Sequence, residues 1–156
     1  YGNSRFAPYT EQFFVGGANS IRAFNARQIG PGRYRSSMRR RSYVEQTGDI
    51  KFQVNLEYRP HLMGSLYGAL FLDAGNVWTM HRDPNRPGSY FKIKNVMREM
   101  ALGTGVGLRY DLGYFMVRLD WGFGLHVPYS TGRSGFYNIT RFRDAQALHL
   151  AIGLPF

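Results

Sequence analysis

Two kinds of residue alternate along much of this chain. From Asp49 to Leu62 one row reads Ile50, Phe52, Val54, Leu56, Tyr58, Pro60 and Leu62, and the other Asp49, Lys51, Gln53, Asn55, Glu57, Arg59 and His61. A strict period of two places successive side chains on opposite faces of a β-strand. From Glu99 to Leu112 the split recurs, with Leu102, Val106, Leu108 and Tyr110 opposed to Glu99, Ala101, Gly103, Gly105, Gly107 and Arg109. From Tyr114 to Val127, Val117, Leu119, Trp121 and Phe123 oppose Met116, Arg118, Asp120, Gly122 and Gly124. The terminal segment sets Leu148, Leu150, Ile152, Leu154 and Phe156 against Ala147, His149, Ala151, Gly153 and Pro155. A weaker alternation runs from Ser65 to Trp78, with Leu66, Leu70, Leu72 and Trp78 on one side and Tyr67, Phe71 and Asp73 on the other. The pattern predicts about five strands and an all-β, antiparallel fold.

The connections alternate in length. Met63-Gly64 and Leu112-Gly113 read as tight hairpin turns, whereas Thr79 to Arg98 and Pro128 to Asp144 are long and rich in Pro, Gly, Asn, Ser and Arg. Short turns on one side and long loops on the other are the asymmetry of an up-and-down transmembrane β-barrel. The strands, at about 12–14 residues, exceed the usual 5–6 and suit a tilted membrane crossing. Aromatics near strand ends, at Tyr58, Trp78, Tyr110, Phe115 and Phe156, fit interfacial girdles. A soluble sandwich or lipocalin-like barrel is the alternative, with the apolar rows inside. Against it, the second row mixes Gly and Ala with sparse charges, which suits a polar lumen better than a solvated face.

Composition sharpens this picture. The 12 Phe, 11 Tyr and 19 Gly favour strands and crowded sheet faces over a helical bundle. The net charge of +10 raises a nucleic-acid reading, but the charges alternate with apolar residues instead of clustering on one element. The densest basic run, Arg33, Arg35, Arg39, Arg40 and Arg41, lies among Gly and Ser and reads as a solvated loop. The absence of cysteine excludes disulfides, zinc-thiolate sites and thiol catalysis. No apolar run approaches the ~20 residues of a membrane helix. No signal peptide is visible, and the abrupt opening at Tyr1 suggests a fragment of a longer protein.

The loop before the first strand carries a further signal. Phe13-Phe14-Val15-Gly16-Gly17-Ala18-Asn19-Ser20-Ile21-Arg22-Ala23-Phe24, followed by Gly30-Pro31-Gly32, resembles the long loop of the BamA/TamA outer-membrane assembly superfamily, the bacterial surface antigen family. That loop carries a Val-Arg-Gly-Phe/Tyr motif, which stands here as Ile21-Arg22-Ala23-Phe24. Glu57-Tyr58-Arg59 resembles the family's Glu-Tyr-Arg strand, and Phe71-Leu72-Asp73-Ala74-Gly75 its Phe-x-Asp-x-Gly segment. Gly105 to Tyr110 and Arg118 to Gly122 resemble the next two strands, and Phe156 the aromatic end of its β-signal. The likeness keeps the family's order and covers essentially the whole chain. Ala23 departs from the common Gly, and the form is closer to TamA-like members.

The resemblance implies that residues 1–48 hold the end of a preceding strand and the loop, and residues 49–156 the C-terminal strands of a sixteen-stranded barrel. It implies that the loop enters the lumen, where Arg22 is held by Glu57 and Asp73. Both carboxylates sit in the polar rows, in agreement. An exposed loop arginine and a turn-flanking aspartate are the plain alternatives. Gly16, Gly17, Gly30 and Gly32 permit the tight path such a loop needs. The row Leu148, Leu150, Ile152, Leu154 and Phe156 is the implied assembly signal, or simply a lipid-facing strand.

The implied function is the assembly, insertion or translocation of other proteins at a bacterial cell outer membrane. The partners are membrane lipids, client outer-membrane or secreted proteins and the rest of the same barrel, with no nucleic acid and no cofactor. A passive porin or adhesin barrel, or a soluble β-barrel binding a lipid or polyanion, remain the other readings. An enzyme is not expected. His61, His81, His126 and His149 lack metal-ligand spacing, and no serine lies in a nucleophile elbow. Asp111 and Asp120 could mimic a carboxylate pair, but a lumen charge network accounts for them better.

Overall fold

A computed structural model describes residues 12–35, 46–133, 135–139 and 145–153. Six strands form one antiparallel sheet: β1 (Ile50–Tyr58), β2 (His61–Met63), β3 (Leu66–Trp78), β4 (Ala101–Asp111), β5 (Met116–His126) and β6 (Gln146–Gly153). The spatial order is β1-β3-β4-β5-β6, with the short β2 pairing β3. Each long strand thus lies beside the next in the chain, as in a meander. The described sheet is open, with β1 and β6 at its edges.

The alternating segments become strands, with two local departures. The run from Asp49 to Leu62 breaks after Tyr58, because Pro60 has no N–H to give to a ladder. The chain resumes as β2, and its pairing with β3 slips between His61 and Met63. Glu99 was expected in β4. Instead a 3₁₀ turn over Ile93–Asn95 leads into a single helical turn, α1 (Val96–Glu99), and β4 begins only at Ala101. The turn at Gly113 is tight, with Leu112 N donating to Phe115 O at 3.0 Å.

The two faces of the sheet are unlike. Leu70 and Leu72 of β3, Val106 and Leu108 of β4, and Leu119 and Trp121 of β5 are exposed; on β6 Leu148, Leu150 and Ile152 are 69–72% exposed. The opposite face is covered by residues 12–35, which lie across it. Phe71, Asp73, Ala101, Arg109, Asp120 and Ala147 are buried there. The apolar core is a seam between loop and strand ends, formed by Val15, Ile21, Ala23, Phe24 and Ile29 with Val77, Ala101, Val127, Tyr129, Ile139 and Ala145. A water-soluble sandwich hides its oily rows and exposes its polar ones. Here the arrangement is inverted, which is the sidedness of a membrane barrel wall.

Trp78 is a correction to the girdle expected from the sequence. It is fully buried, gives its Nε1 proton to Glu99 Oε2 at 2.8 Å and meets Phe91 edge-on at 5.6 Å. The segment after β3 folds back over the strand end and covers it. Tyr58, Tyr110 and Phe115, near the tight-turn end, are exposed as expected. Leu154, Phe156, Arg39, Arg40 and Arg41 lie outside the described residues.

Candidate functional site

The site is built at the tip of the covering loop. Its two arms meet at a bridge between Val15 and Ile29. Between them the chain turns tightly: Gly17 N donates to Phe24 O at 2.7 Å, Ser20 N to Gly17 O at 3.0 Å and Phe24 N to Ile21 O at 3.1 Å. Gly16, Gly17, Gly30 and Gly32 all take positive φ, a region where side chains are disfavoured. The tight turn splits the motif. Ile21, Ala23 and Phe24 enter the core, while the Arg22 side chain reaches the wall of the sheet.

Arg22 docks on three strand residues. Its Nε and Nη2 donate to Asp73 Oδ2 and Oδ1, each at 2.8 Å, and its backbone N–H donates to Asp73 Oδ2 at 2.9 Å. Its Nη1 donates to Glu57 Oε2. The guanidinium also lies 3.7 Å from the ring centre of Phe71. Asp73 is on β3 and Glu57 on β1, and each projects into the covered face, so the structure brings together the three residues that the resemblance pairs. A guanidinium can serve two carboxylates because its donors form a planar fork.

The pairing continues along the wall. Arg109 of β4 holds Glu57 at 3.2 Å through Nη2 and faces Asp120 of β5 at 2.6 Å through Nη1. The second contact is an ion pair without hydrogen-bond alignment. Arg59 adds a half-exposed contact to Glu57 at 2.6 Å. Three guanidiniums, of Arg22, Arg59 and Arg109, thus meet three carboxylates, of Glu57, Asp73 and Asp120. Asp73, Arg109 and Asp120 are 0% exposed. Charges that deeply placed are tolerable only when matched.

Every long strand except β4 also grips the loop tip directly. From β1, Asn55 Nδ2 donates to Ser20 O and to Asp73 Oδ1, each at 2.8 Å, and Gln53 Oε1 accepts from Ser20 Oγ at 2.8 Å. From β5, Arg118 Nη2 donates to Asn19 Oδ1 at 2.6 Å. From β6, His149 Nε2 lies 3.0 Å from Arg22 O. A carbonyl only accepts, so this nitrogen carries the proton.

The glycines of the inner rows make room for the loop. A Cβ on Gly122 would stand 2.5 Å from Arg22 O, and one on Gly103 would stand 2.2 Å from the Ala23 Cβ. Neither distance is tolerable, so the loop backbone can lie against the sheet only where the wall has no side chain. Gly103 is the position that accommodates Ala23.

Arg109, Arg118 and His149 were not singled out as a site from the sequence, although each falls in a polar row. The signal was their phase; their partners depend on strand register. Asp111 does not meet Asp120. It accepts the Gly113 N–H at 2.7 Å and closes a turn. Among the described residues no group of three or more His, Cys, Asp or Glu is arranged to hold a metal ion. Leu148, Leu150 and Ile152 form an exposed row on the edge strand β6.

A second charged pair organises the loop that follows β3. Arg86 Nε donates to Asp83 Oδ2 at 2.7 Å, while its Nη1 donates to Thr47 O at 3.0 Å. Burial alone would raise the Asp83 pKa. The hydrogen bonds from Arg86 and the Asn85 N–H outweigh that effect and hold the carboxyl below its ordinary value.

Comparison with known proteins adds two findings. The Omp85 superfamily domain matches residues 1–143. The chain is also 29% identical over 123 residues to the chloroplastic outer envelope protein 80 of Arabidopsis thaliana; the match covers 76% of this chain and 14% of that protein. The chain therefore corresponds to a small part of that much longer relative.

Proposed function

This chain belongs to the Omp85 superfamily, and on that premise we propose that it is the C-terminal wall of a transmembrane barrel that inserts, assembles or translocates other proteins at an outer membrane. The observation that carries the reading is the inverted sidedness of the sheet, together with a loop tip pinned to its polar face. Exposed aliphatic rows suit acyl chains, and the buried charge network suits a lumen. A loop tip tied to β1, β3, β5 and β6 suits this family's lumen loop better than an open, water-filled pore. The work proposed needs no cofactor and no catalytic group.

In this reading β6 lines a lateral seam of the complete barrel. Its Leu148, Leu150 and Ile152 row faces lipid, and its free edge offers backbone N–H and C=O groups to a client strand. The proposed clients are outer-membrane or secreted proteins, and the proposed lipid partner is the bilayer around the barrel. The finer proposal, a TamA-like member in a bacterial outer membrane, rests on the form of the Ile21-Arg22-Ala23-Phe24 loop. The Arabidopsis relative bears a chloroplast-envelope name, so an organellar outer membrane is the competing location.

The test is reconstitution of the full-length protein into liposomes and addition of a urea-unfolded β-barrel client. Proteoliposomes should yield protease-protected, heat-modifiable client faster than empty liposomes do. Equal rates in the two samples would remove the proposal.

A further inference from the structure

Beyond the strand ends, the segment after β3 meets the outgoing arm of the loop and encloses a half-open cavity of about 450 Å³. The wall is built from both sides: Arg33 N donates to Gly88 O at 3.0 Å, and Thr79 N to Ser89 O at 2.9 Å. Four cations line it, Arg33, Arg82, Arg86 and Lys92. Two carboxylates also line it, and both are engaged. Asp83 pairs with Arg86, and Glu99 is buried under Trp78 and accepts its Nε1 proton. Among the described residues no carboxylate pairs with Arg33, Arg82 or Lys92, and all three are exposed. The cavity therefore carries a net positive charge that nothing described in the protein neutralises.

The chain beside these lining residues is oily. Ile93 lies between the lining residues Lys92 and Asn95 and is 79% exposed; Met97, on the following helical turn, is 83% exposed. They alternate with Lys92, Lys94 and Arg98. Bare aliphatic side chains among lysines and arginines are the composition of an element lying in the headgroup region of a membrane. The position agrees. All the lining residues except Arg33 follow Trp78 in the chain, at the end of the sheet opposite the tight turns.

We propose that this cavity binds the phosphate-bearing headgroup of an anionic lipid, with Arg33, Arg82 and Lys92 around the phosphate and Ile93 and Met97 against the acyl chains. Arginine matches phosphate oxygens through its donor fork, and lysine adds a mobile point charge. A free phosphate would use the cations alone; a lipid uses the cations and the neighbouring apolar side chains together. The site rests on the sheet orientation proposed above, with the exposed rows in lipid.

The experiment uses the full-length protein purified from mixed micelles of phosphatidylglycerol and phosphatidylcholine, with retained lipid counted by native mass spectrometry. Wild type should retain phosphatidylglycerol over phosphatidylcholine on the order of tenfold, the size expected from a few basic residues near a phosphate. The double variant R82E/K92E should bring the two lipids to parity, and I93S/M97S should weaken lipid retention while leaving inorganic phosphate binding unchanged. Heat-modifiability is measured on every variant so that only folded protein is compared. Undiminished preference in R82E/K92E overturns the site. Displacement of the lipid by millimolar inorganic phosphate, or equal retention by I93S/M97S, would make it a phosphate site and overturn the lipid assignment. Equal displacement by an acidic peptide would overturn it as well. Client insertion is not read in this assay, so a failed assembly role and a failed lipid site remain distinguishable.

Discussion

At the scale of single residues, Arg22 is the point on which most contacts converge. Its guanidinium serves two carboxylates on two strands, its own N–H reaches one of them, and its carbonyl faces His149 on a third strand. Arg22→Ala would leave Asp73 fully buried with Asn55 as its remaining described side-chain partner. Breaking a buried pair costs about 3–5 kcal/mol, and the partial exposure of Glu57 puts the expected loss at the low end, about 3 kcal/mol. Denaturant unfolding of the full-length barrel in detergent checks it, and an unchanged midpoint would contradict it. Arg22→Lys should recover only part of the loss, because an ammonium cannot grip both oxygens of Asp73 at once. A second prediction concerns pH. The Asp83 carboxyl has a depressed pKa, so its stabilising effect is complete above its unfolded value of about 3.9. That effect is lost as pH falls through the lower folded value. Protease cutting in residues 79–98 should rise at that acid end. Asp83→Asn should cut readily at neutral pH and lose the dependence; an unchanged acid profile in the variant would exclude Asp83 as the cause.

At the scale of elements, the loop and the sheet fit because one has a methyl where the other has none. The resembling family commonly has glycine where this chain has Ala23, and the Ala23 Cβ occupies the space over Gly103. Gly103→Ala should therefore push the loop from β4 and destabilise the protein by about 1–3 kcal/mol. Ala23→Gly in the same chain should return most of that loss, measured as a double-mutant cycle. Simple additivity of the two changes would mean that the methyl contact is not the cause. The pairing was partly legible beforehand: the glycines of β4 and β5 stood in the row opposite the aliphatic one, which marked a crowded face. What crowds that face could be seen only after folding. Residues 22 and 122 are far apart in the chain, and no local pattern records their approach. The break at Pro60 was foreseeable from proline's missing N–H, although the unbroken alternation on both sides argued for a single strand. The helical turn over Val96–Glu99 was not legible, since four residues carry too little periodicity to compete with a neighbouring strand.

At the scale of the whole molecule, the deciding property is which face of the sheet meets lipid. Single cysteines at Leu119 and Leu150 should resist a water-soluble maleimide in the full-length protein, and a fluorophore attached to either through a membrane-permeant maleimide should be quenched by brominated acyl chains. A cysteine at Arg118 or His149 should behave in the opposite way. Reversed labelling would place the aliphatic rows in a protein core and end the membrane reading. The alternation by itself established the strands and their two unlike faces, the lengths of the connections added the meander, and the loop and strand motifs carried the likeness that implied the pairing of Arg22 with Glu57 and Asp73. Side-chain period is a local property, and a β-strand expresses it without help from the rest of the chain. Register was decided only by the tertiary structure, and with it the pairing of Arg109 to Glu57 and Asp120, the hold of His149 on the loop, and the burial of Trp78 beneath Phe91. Those contacts join residues distant in the chain, and a single strand's sequence contains no information about which neighbour it slides against or what lies across its face.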